Sequence, residues 1–392
     1  MPPSLANMSH DELRRRLTIT QLTPLIQKTM IRELGDLPYP VEFRNSAALE
    51  GWQRILNSNE SGKALLQRWS KPEFTCEAGM LAVENFLFSL ISLDRSGDAE
   101  RWRSIVNGIA IHISSNLLYA RRQGTLIETT AALETLLTHA DVDQAFPMGM
   151  LALPFAAQYL RFGDQAAHSL PCFFEDAEAV ADGVFCFVSN TQESLDTQIS
   201  AKQLQLIFVI KRHNRHHGFL RLEHPIESPQ MLLSDWVRQL ADKEKSIKIV
   251  DQKQITDLVN YVAKVFLYLG LKEARHIQIN DYSDAQQRMQ GIGPKKQAKL
   301  GRKITSLYDR IMVGPQGLIA THQYDVSGHA VAPHWRRGHF RMQTHGVGSK
   351  ERKLIFVAPV LVRADRLKDE QPSPKAYRAG QQTIKNLPGT PL

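Results

Sequence analysis

Leu204-Gln205-Leu206-Ile207-Phe208-Val209-Ile210 (LQLIFVI) is a short run rich in β-branched and aromatic side chains, and it reads as a strand. Val184-Phe185-Cys186-Phe187-Val188 upstream has the same composition, and His217 to Glu223 suits a returning hairpin partner. These runs decide the fold class, because the chain before them follows a different pattern. Between the last two lies Lys211-Arg212-His213-Asn214-Arg215-His216-His217-Gly218. Its three histidines invite a metal, but a tight turn points them in divergent directions and the run holds no carboxylate. It reads as a hairpin tip.

Upstream the pattern is helical. Met80, Val83, Leu87, Leu90 and Ile91 fall on one helical face, as do Trp102, Ile105, Ile109, Ile113 and Leu117. Ser9-His10-Asp11-Glu12 is a capping-box pattern that opens a short helix. His112, beside the second stripe, reads as a packed histidine, since nothing near it supplies a second metal ligand. The texture changes after Phe162-Gly163-Asp164. Glu175, Asp176, Glu178 and Asp182 then form an acidic stretch that reads as a solvated loop, or else a site for a basic peptide.

Downstream, helices are expected over Met231 to Lys243 and over a periodic segment with Ile255, Leu258, Val259, Val262, Phe266 and Leu269 on one face. Arg275 to Ile279 and Lys303 to Val313 are candidate strands, followed by two more at about 337–344 and 352–362. From about Asp365 the tail is rich in proline and poor in apolar residues, the composition of disorder. The class is α+β: a helical N-terminal half and a C-terminal mixed or antiparallel sheet domain flanked by helices. The expected division is 1–165 helical, 166–364 α+β with a basic C-terminal hairpin, and 365–392 as the tail. A chain of 392 residues suits two lobes better than one core.

No apolar run approaches the roughly 18 to 20 residues that span a bilayer, so no membrane partner is expected. The N-terminus reaches charge before any apolar segment, unlike a secretory signal. Cys76, Cys172 and Cys186 are scattered without a CxxC spacing, which suits a reducing compartment and argues against a zinc ribbon. Cytoplasm is the expected location. No Walker loop, G-x-S-x-G elbow, HExxH or two-metal carboxylate set is present, so neither cofactor nor metal is expected.

The net charge is +8, and its location matters more than its size. Residues 286–353 hold 13 Lys/Arg against three acidic residues, a net +10, leaving −2 for the rest of the chain. A localised positive segment attracts polyanions, and nucleic acid is the commonest cellular one. Within it, His334-Trp335-Arg336-Arg337-Gly338-His339-Phe340-Arg341 reads as a strand. Its period of two puts Trp335, Arg337, His339 and Arg341 on one face and Gly338, Phe340 and Met342 on the other. Arginine forks bind phosphate bidentately, and Trp335 or Phe340 would offer a stacking surface. Lys350, Arg352 and Lys353 follow the turn and extend the cationic set. Leu354 to Val362 is continuously apolar, as expected of a strand buried on both faces, although Pro359 demands an edge or a bulge. One strand of the hairpin would anchor while its partner displays cations. The duller alternative is that these cations pair with the chain's own acids.

Gly291-Ile292-Gly293-Pro294-Lys295-Lys296-Gln297-Ala298-Lys299-Leu300 looks like the turn and second helix of a helix-hairpin-helix, a module that binds the DNA backbone. The first helix has weak support, since Asp281 to Gln290 is polar, and short glycine patterns recur freely. Lys295, Lys296, Lys299 and Arg302 join the nucleic-acid candidates in either case.

The run from His334 to Arg341, a glycine-bearing turn, and Arg352-Lys353-Leu354-Ile355-Phe356-Val357-Ala358-Pro359-Val360-Leu361-Val362 together resemble the C-terminal signature of a family encoded by phages, plasmids and other mobile elements. That family includes the type V-A anti-CRISPR inhibitor of effector biogenesis. The resemblance implies a protein that recognises the N-terminal peptide of a type V CRISPR effector nuclease as it leaves the ribosome, with loss of the encoding mRNA. The partners implied are that peptide and either mRNA or the ribosome. No peptide-pocket residue is matched. Two other readings stand beside it. One is a metal-independent ribonuclease using His339 or His334 as general base with arginine support at the phosphate. The other is a phage or plasmid DNA-binding protein resting on the glycine-lysine stretch.

Overall fold

A computed structural model describes residues 25–29, 36–58, 60–90, 99–142, 146–151, 153–169, 179–190, 202–212, 215–245, 252–317, 334–349 and 351–362. The capping-box pattern at Ser9 and the tail from Asp365 lie outside the described residues. Helices come first: α1 (Tyr39–Asn45), α2 (Ala48–Asn57), α3 (Glu60–Arg68), α4 (Cys76–Leu90) and α5 (Ala99–Arg121). Strands and helices then alternate through β1 (Thr125–Thr129), α6 (Ala131–Thr138), β2 (Ala140–Val142), β3 (Ala157–Arg161) and α7 (Asp164–Ser169). Three long strands, β4 (Ala179–Asn190), β5 (Lys202–Arg212) and β6 (Arg215–Ile226), precede α8 (Leu233–Lys245) and α9 (Gln252–Leu269). The C-terminal part holds β7 (His276–Asn280), α10 (Asp281–Gln290), α11 (Pro294–Ile304), β8 (Asp309–Val313), β9 (His334–Arg336), β10 (Gly338–His345), β11 (Glu351–Val357) and β12 (Val360–Val362). This is the α+β arrangement expected of the sequence.

A seven-stranded mixed sheet in the order β6-β5-β4-β3-β1-β8-β7 organises the molecule. β1 runs parallel to β3 and β8, and the remaining pairs are antiparallel. The strand period of two sends neighbouring residues into different cores. Leu204, Leu206, Phe208 and Ile210 enter a core shared with α8 and α9, while Ile207 and Val209 enter one shared with α1 to α5. β4 does the same, with Val184 and Cys186 on one side and Phe185 and Phe187 on the other. A strand covered on both faces has no polar side to show, and this is why LQLIFVI is almost wholly apolar. β1 and β3 precede residue 166 and occupy the middle of this sheet.

The described part of each helical stripe falls where periodicity places it, while Ile91 and the side chains of Leu90 and Trp102 lie outside the described residues. Val83 and Leu87 of α4, and Ile109, Ile113 and Leu117 of α5, are buried in the helical-side core. In α9, Ile255, Leu258, Val259, Val262 and Phe266 are buried in the other. His112 is a packed histidine: it is buried, its Nδ1 meets the Tyr39 hydroxyl, and its ring meets Phe219 edge-on.

Three local expectations are corrected. Lys303 to Val313 is not one strand, because α11 runs to Ile304 and β8 begins only at Asp309. Leu354 to Val362 is not a continuous strand buried on both faces. It breaks at Ala358-Pro359 into β11 and β12, and residues 354–357 are half-buried at the edge of a three-stranded sheet ordered β11-β10-β2. Pro359 has no N–H to continue a ladder, so the strand stops there. Asp182 is not in a solvated loop. It sits in β4 with 1% of its surface exposed, accepts from the Tyr159 hydroxyl at 2.7 Å, and pairs with Lys211 Nζ at 3.0 Å. A buried carboxylate persists only with such partners.

Candidate nucleic-acid interface

β10 alternates as its sequence dictates. Phe340 is fully buried and Met342 half-buried, while His339, Arg341 and Gln343 are exposed. Phe340 stacks on Phe356 of β11 with ring centroids 4.5 Å apart, and Phe356 meets Tyr268 of α9 edge-on. Met342 opposes Leu354 on the same face. These contacts dock the hairpin onto the core shared with α8 and α9. Gly338 opens the strand under a tight constraint: a Cβ there would come within 2.5 Å of Pro359 Cδ. The turn carries Gly346 and Gly348 at positive φ, +78° and +70°, a conformation glycine adopts without steric cost.

The outward face of the hairpin follows from its register. His339 opposes Val357, Arg341 opposes Ile355, and Gln343 opposes Lys353. Cations and half-buried aliphatic side chains therefore alternate across the two strands. Arg336, Arg337, Arg341, Arg352 and Lys353 are all exposed. Arg337 reaches Asp141 of β2 at 3.2 Å, in a pair whose side chains are 78% and 61% exposed, so solvent screens it strongly. His345 meets Glu351 at 3.1 Å. The run from His334 to Arg341 is not the one strand expected, because it breaks at Arg337 between β9 and β10, which lie in different sheets. The expected alternative, cations tucked in and neutralised by the chain's own acids, applies among the described residues to Arg337 alone of Arg336, Arg337 and Arg341, and even there at the surface.

The positive field reaches inward. Burial, and then the Arg337 guanidinium, holds the His139 imidazole below its ordinary value. Lys264 is also depressed, mainly by burial and less by Arg337, with Asp141 and Asp257 opposing. Its ammonium donates to the Leu137 carbonyl at 3.0 Å.

Phe340 is not a stacking platform, because its ring is core. The backbone of His334, Trp335 and Arg336 forms β9, paired antiparallel with β12, but the side chains of His334 and Trp335 lie outside the description, as does Lys350. On β10 the two imidazoles, His339 and His345, share a face but stand six residues apart, about 20 Å along a strand. A single phosphodiester does not span that distance.

The other expected cations occupy a different element. Lys295, Lys296, Lys299 and Arg302 are exposed on α11, and no residue of that helix is buried. α10 does form, which makes a helix–turn–helix of residues 281–304. Its support is one that sequence reasoning missed. Asp309 of β8 accepts from the Tyr282 and Ser283 amides at 2.9 and 3.0 Å and so caps α10 from outside. Arg310 pairs with Asp281 at 3.0 Å, and its Nε lies 3.2 Å from Glu128, which also meets Arg161 at 3.1 Å. No local pattern announces a cap delivered by the strand beyond the next helix.

Among the described residues, no group of three His, Cys, Asp or Glu side chains is placed to hold a metal ion, and no helix is long and apolar enough to cross a membrane. Cys76 and Cys186 are buried free thiols; burial pushes Cys76 up to about 12 and Cys186 up as well, the state of unreactive cysteines. No curated protein matches the chain. Residues 127–364, which include both basic elements, match the model of the AcrVA2-like family, described as the anti-CRISPR type V subtype A2 family.

Proposed function

The chain belongs to the anti-CRISPR type V subtype A2 family, and from that premise we propose that it blocks a type V-A CRISPR system by acting on synthesis of the effector nuclease. In this reading it binds the N-terminal peptide of the effector as that peptide leaves the ribosome, and the encoding mRNA is then lost. The work is done in the cytoplasm. The outward face of β10–β11 lies against ribosomal or messenger RNA, with Arg341 and Lys353 at phosphates and the exposed Arg336, Arg337 and Arg352 at its margins. The observation that carries the reading is the family match across residues 127–364. It is supported by a strand whose inner residues serve the core and whose outer cations stay in water.

The test is capture of the full chain by an immobilised peptide of the first few dozen residues of a type V effector. A scrambled peptide of the same composition serves as control. Capture by the native peptide alone is expected, as is a fall in reporter mRNA when that coding segment opens the reporter. Equal capture by both peptides, or none by either, removes this target.

A further inference from the structure

Among the described residues the cations of α11 meet no acidic partner. Lys295, Lys296, Lys299, Arg302 and Lys303 are all exposed, and the helix contributes nothing to either core. The sequence from Ala285 to Tyr308 contains no acidic residue. Among the described residues none of these five side chains makes an ion pair. Of the acids of the unit, Asp281 at the start of α10 pairs with Arg310 and Asp309 on β8 caps α10, while Asp284 in the first turn of α10 is exposed. The charge of the unit is therefore divided by element, with its carboxylates on α10 and β8 and an α11 that carries ammonium and guanidinium groups and no carboxylate.

That surface is held firmly although it is not buried. Arg44 of α1 lies 4.0 Å over the Tyr282 ring and donates to the Leu307 carbonyl at 2.8 Å. Asn45 donates to the Thr305 carbonyl at 2.6 Å, and Gln297 of α11 donates to the Met289 carbonyl of α10 at 2.9 Å. Lys295, Lys299 and Arg302 follow at i, i+4 and i+7, so they rise along one helix face in steps of about 6 and 4.5 Å.

The glycines of the unit add a second argument. A Cβ built on Gly291, Gly293 or Gly301 would meet nothing within 4 Å, and φ is −106° at Gly291 and −71° at Gly293. Any residue adopts those angles, so the fold itself does not require glycine at the turn. Gly301 weakens the helix relative to alanine. What bare backbone offers at such positions is close approach by something outside the molecule.

We propose that the α10–α11 hairpin docks on the phosphate backbone of double-helical RNA. Phosphate is favoured by charge complementarity and by the spacing of the cations. A duplex is favoured over a single strand because the unit offers no free aromatic platform for unstacked bases. Its rings, Tyr282 and Tyr308, are engaged by Arg44 and by Glu128. The choice of RNA rests on the reading that the protein acts at a translating ribosome, whose surface is largely helical RNA.

The experiment uses the full chain and a labelled 20-base-pair RNA duplex, with DNA duplex of the same sequence and an acidic peptide as the other arms. The variant Lys295→Gln/Lys299→Gln/Arg302→Gln is expected to bind RNA at least tenfold more weakly. Its dependence of log K on log salt should be shallower by about two to three, near one per lost phosphate contact. Gly293→Ala is expected to weaken binding several-fold with no fall in the thermal midpoint, which separates ligand approach from folding. Wild-type affinity and salt slope in the triple variant overturn the proposal, as does preference for the DNA duplex or the acidic peptide. Peptide capture by the triple variant stays at the wild-type level if the two surfaces are separate. Loss of effector-peptide capture with RNA binding intact would instead sink the peptide reading and leave this surface standing.

Discussion

Arg341 sits one residue from Phe340, whose ring is wholly buried, whereas Lys299 sits on a helix with no buried residue at all. Both belong to the +10 segment, yet their foundations differ. On β10 the display of charge and the filling of the core are two faces of one strand. A shift of register by one residue would exchange them, driving His339 and Arg341 inward and Phe340 out. On α11 the charge is mounted on a platform that the core does not need. Charge density alone does not separate these cases, but burial does. The register that displays the first surface cannot change without touching stability, and the second is free to vary with whatever it meets.

The sharpest way to break this contrast is Phe340→Ala. The substitution removes a ring stacked at 4.5 Å on Phe356 from a fully buried site, and about 3–5 kcal/mol of stability should go with it. Urea unfolding checks this, with the midpoint expected to fall at unchanged slope. Loss of less than about 1 kcal/mol would mean that the hairpin is laid on the surface as α11 is, and the distinction would be void.

A middle-sized effect sharpens the other side. Asp309→Ala strips the external cap from α10 and should cost about 1–2 kcal/mol. The damage should be local, because α10 buries only Ala285. Amide exchange is expected to rise across residues 281–304 while β4 and β5 keep their protection. Exchange rising equally across the central sheet would show that the helical hairpin is part of the global folding unit after all.

How much of this was written locally follows from the same residues. LQLIFVI was legible because a strand buried on both faces advertises itself by composition alone. The turn at Gly291-Ile292-Gly293 announced a helix–turn–helix, yet α10 looked unsupported, since its cap comes from Asp309 on a strand beyond α11. Asp182 misled for the complementary reason. A carboxylate in an acidic stretch reads as solvated until tertiary structure brings Tyr159 and Lys211 to it. Leu354 to Val362 over-read as a central strand because apolar composition does not distinguish the middle of a sheet from an edge laid over a core; Pro359 was the one local sign of the break. At the candidate site, the period of two correctly parted His339 and Arg341 from Phe340. That Asp141 would lie beside Arg337 depended on the parallel pairing of β10 with β2, which no pattern in either segment encodes.

That pairing supports the smallest test, which asks whether the β10 cations are coupled to the fold electrostatically as well as by packing. The exposed Arg337–Asp141 pair itself should matter little, so Arg337→Gln is expected to leave stability within about 0.5 kcal/mol at pH 7.5. Its effect lies in the pH dependence. His139 is depressed in the folded protein by burial and then by Arg337, so near and below its unfolded value of about 6.5 the unfolded chain binds the proton more readily. Stability therefore rises with pH through this window and is lost as pH falls from about 7 towards 5. Below the folded value the penalty is complete and no longer grows. His139→Gln should flatten that part of the profile, and Arg337→Gln should flatten it less, because it removes only the smaller cause. Lys299→Gln should leave the profile unchanged, since no buried residue of α11 lies beneath it as His139 lies beneath Arg337. Unfolding midpoints of the four proteins at pH 7.5, 6.5 and 5.5 decide the matter. Equal flattening by Lys299→Gln would mean that the field of the whole basic segment, rather than one guanidinium placed by strand pairing, sets the imidazole's proton affinity.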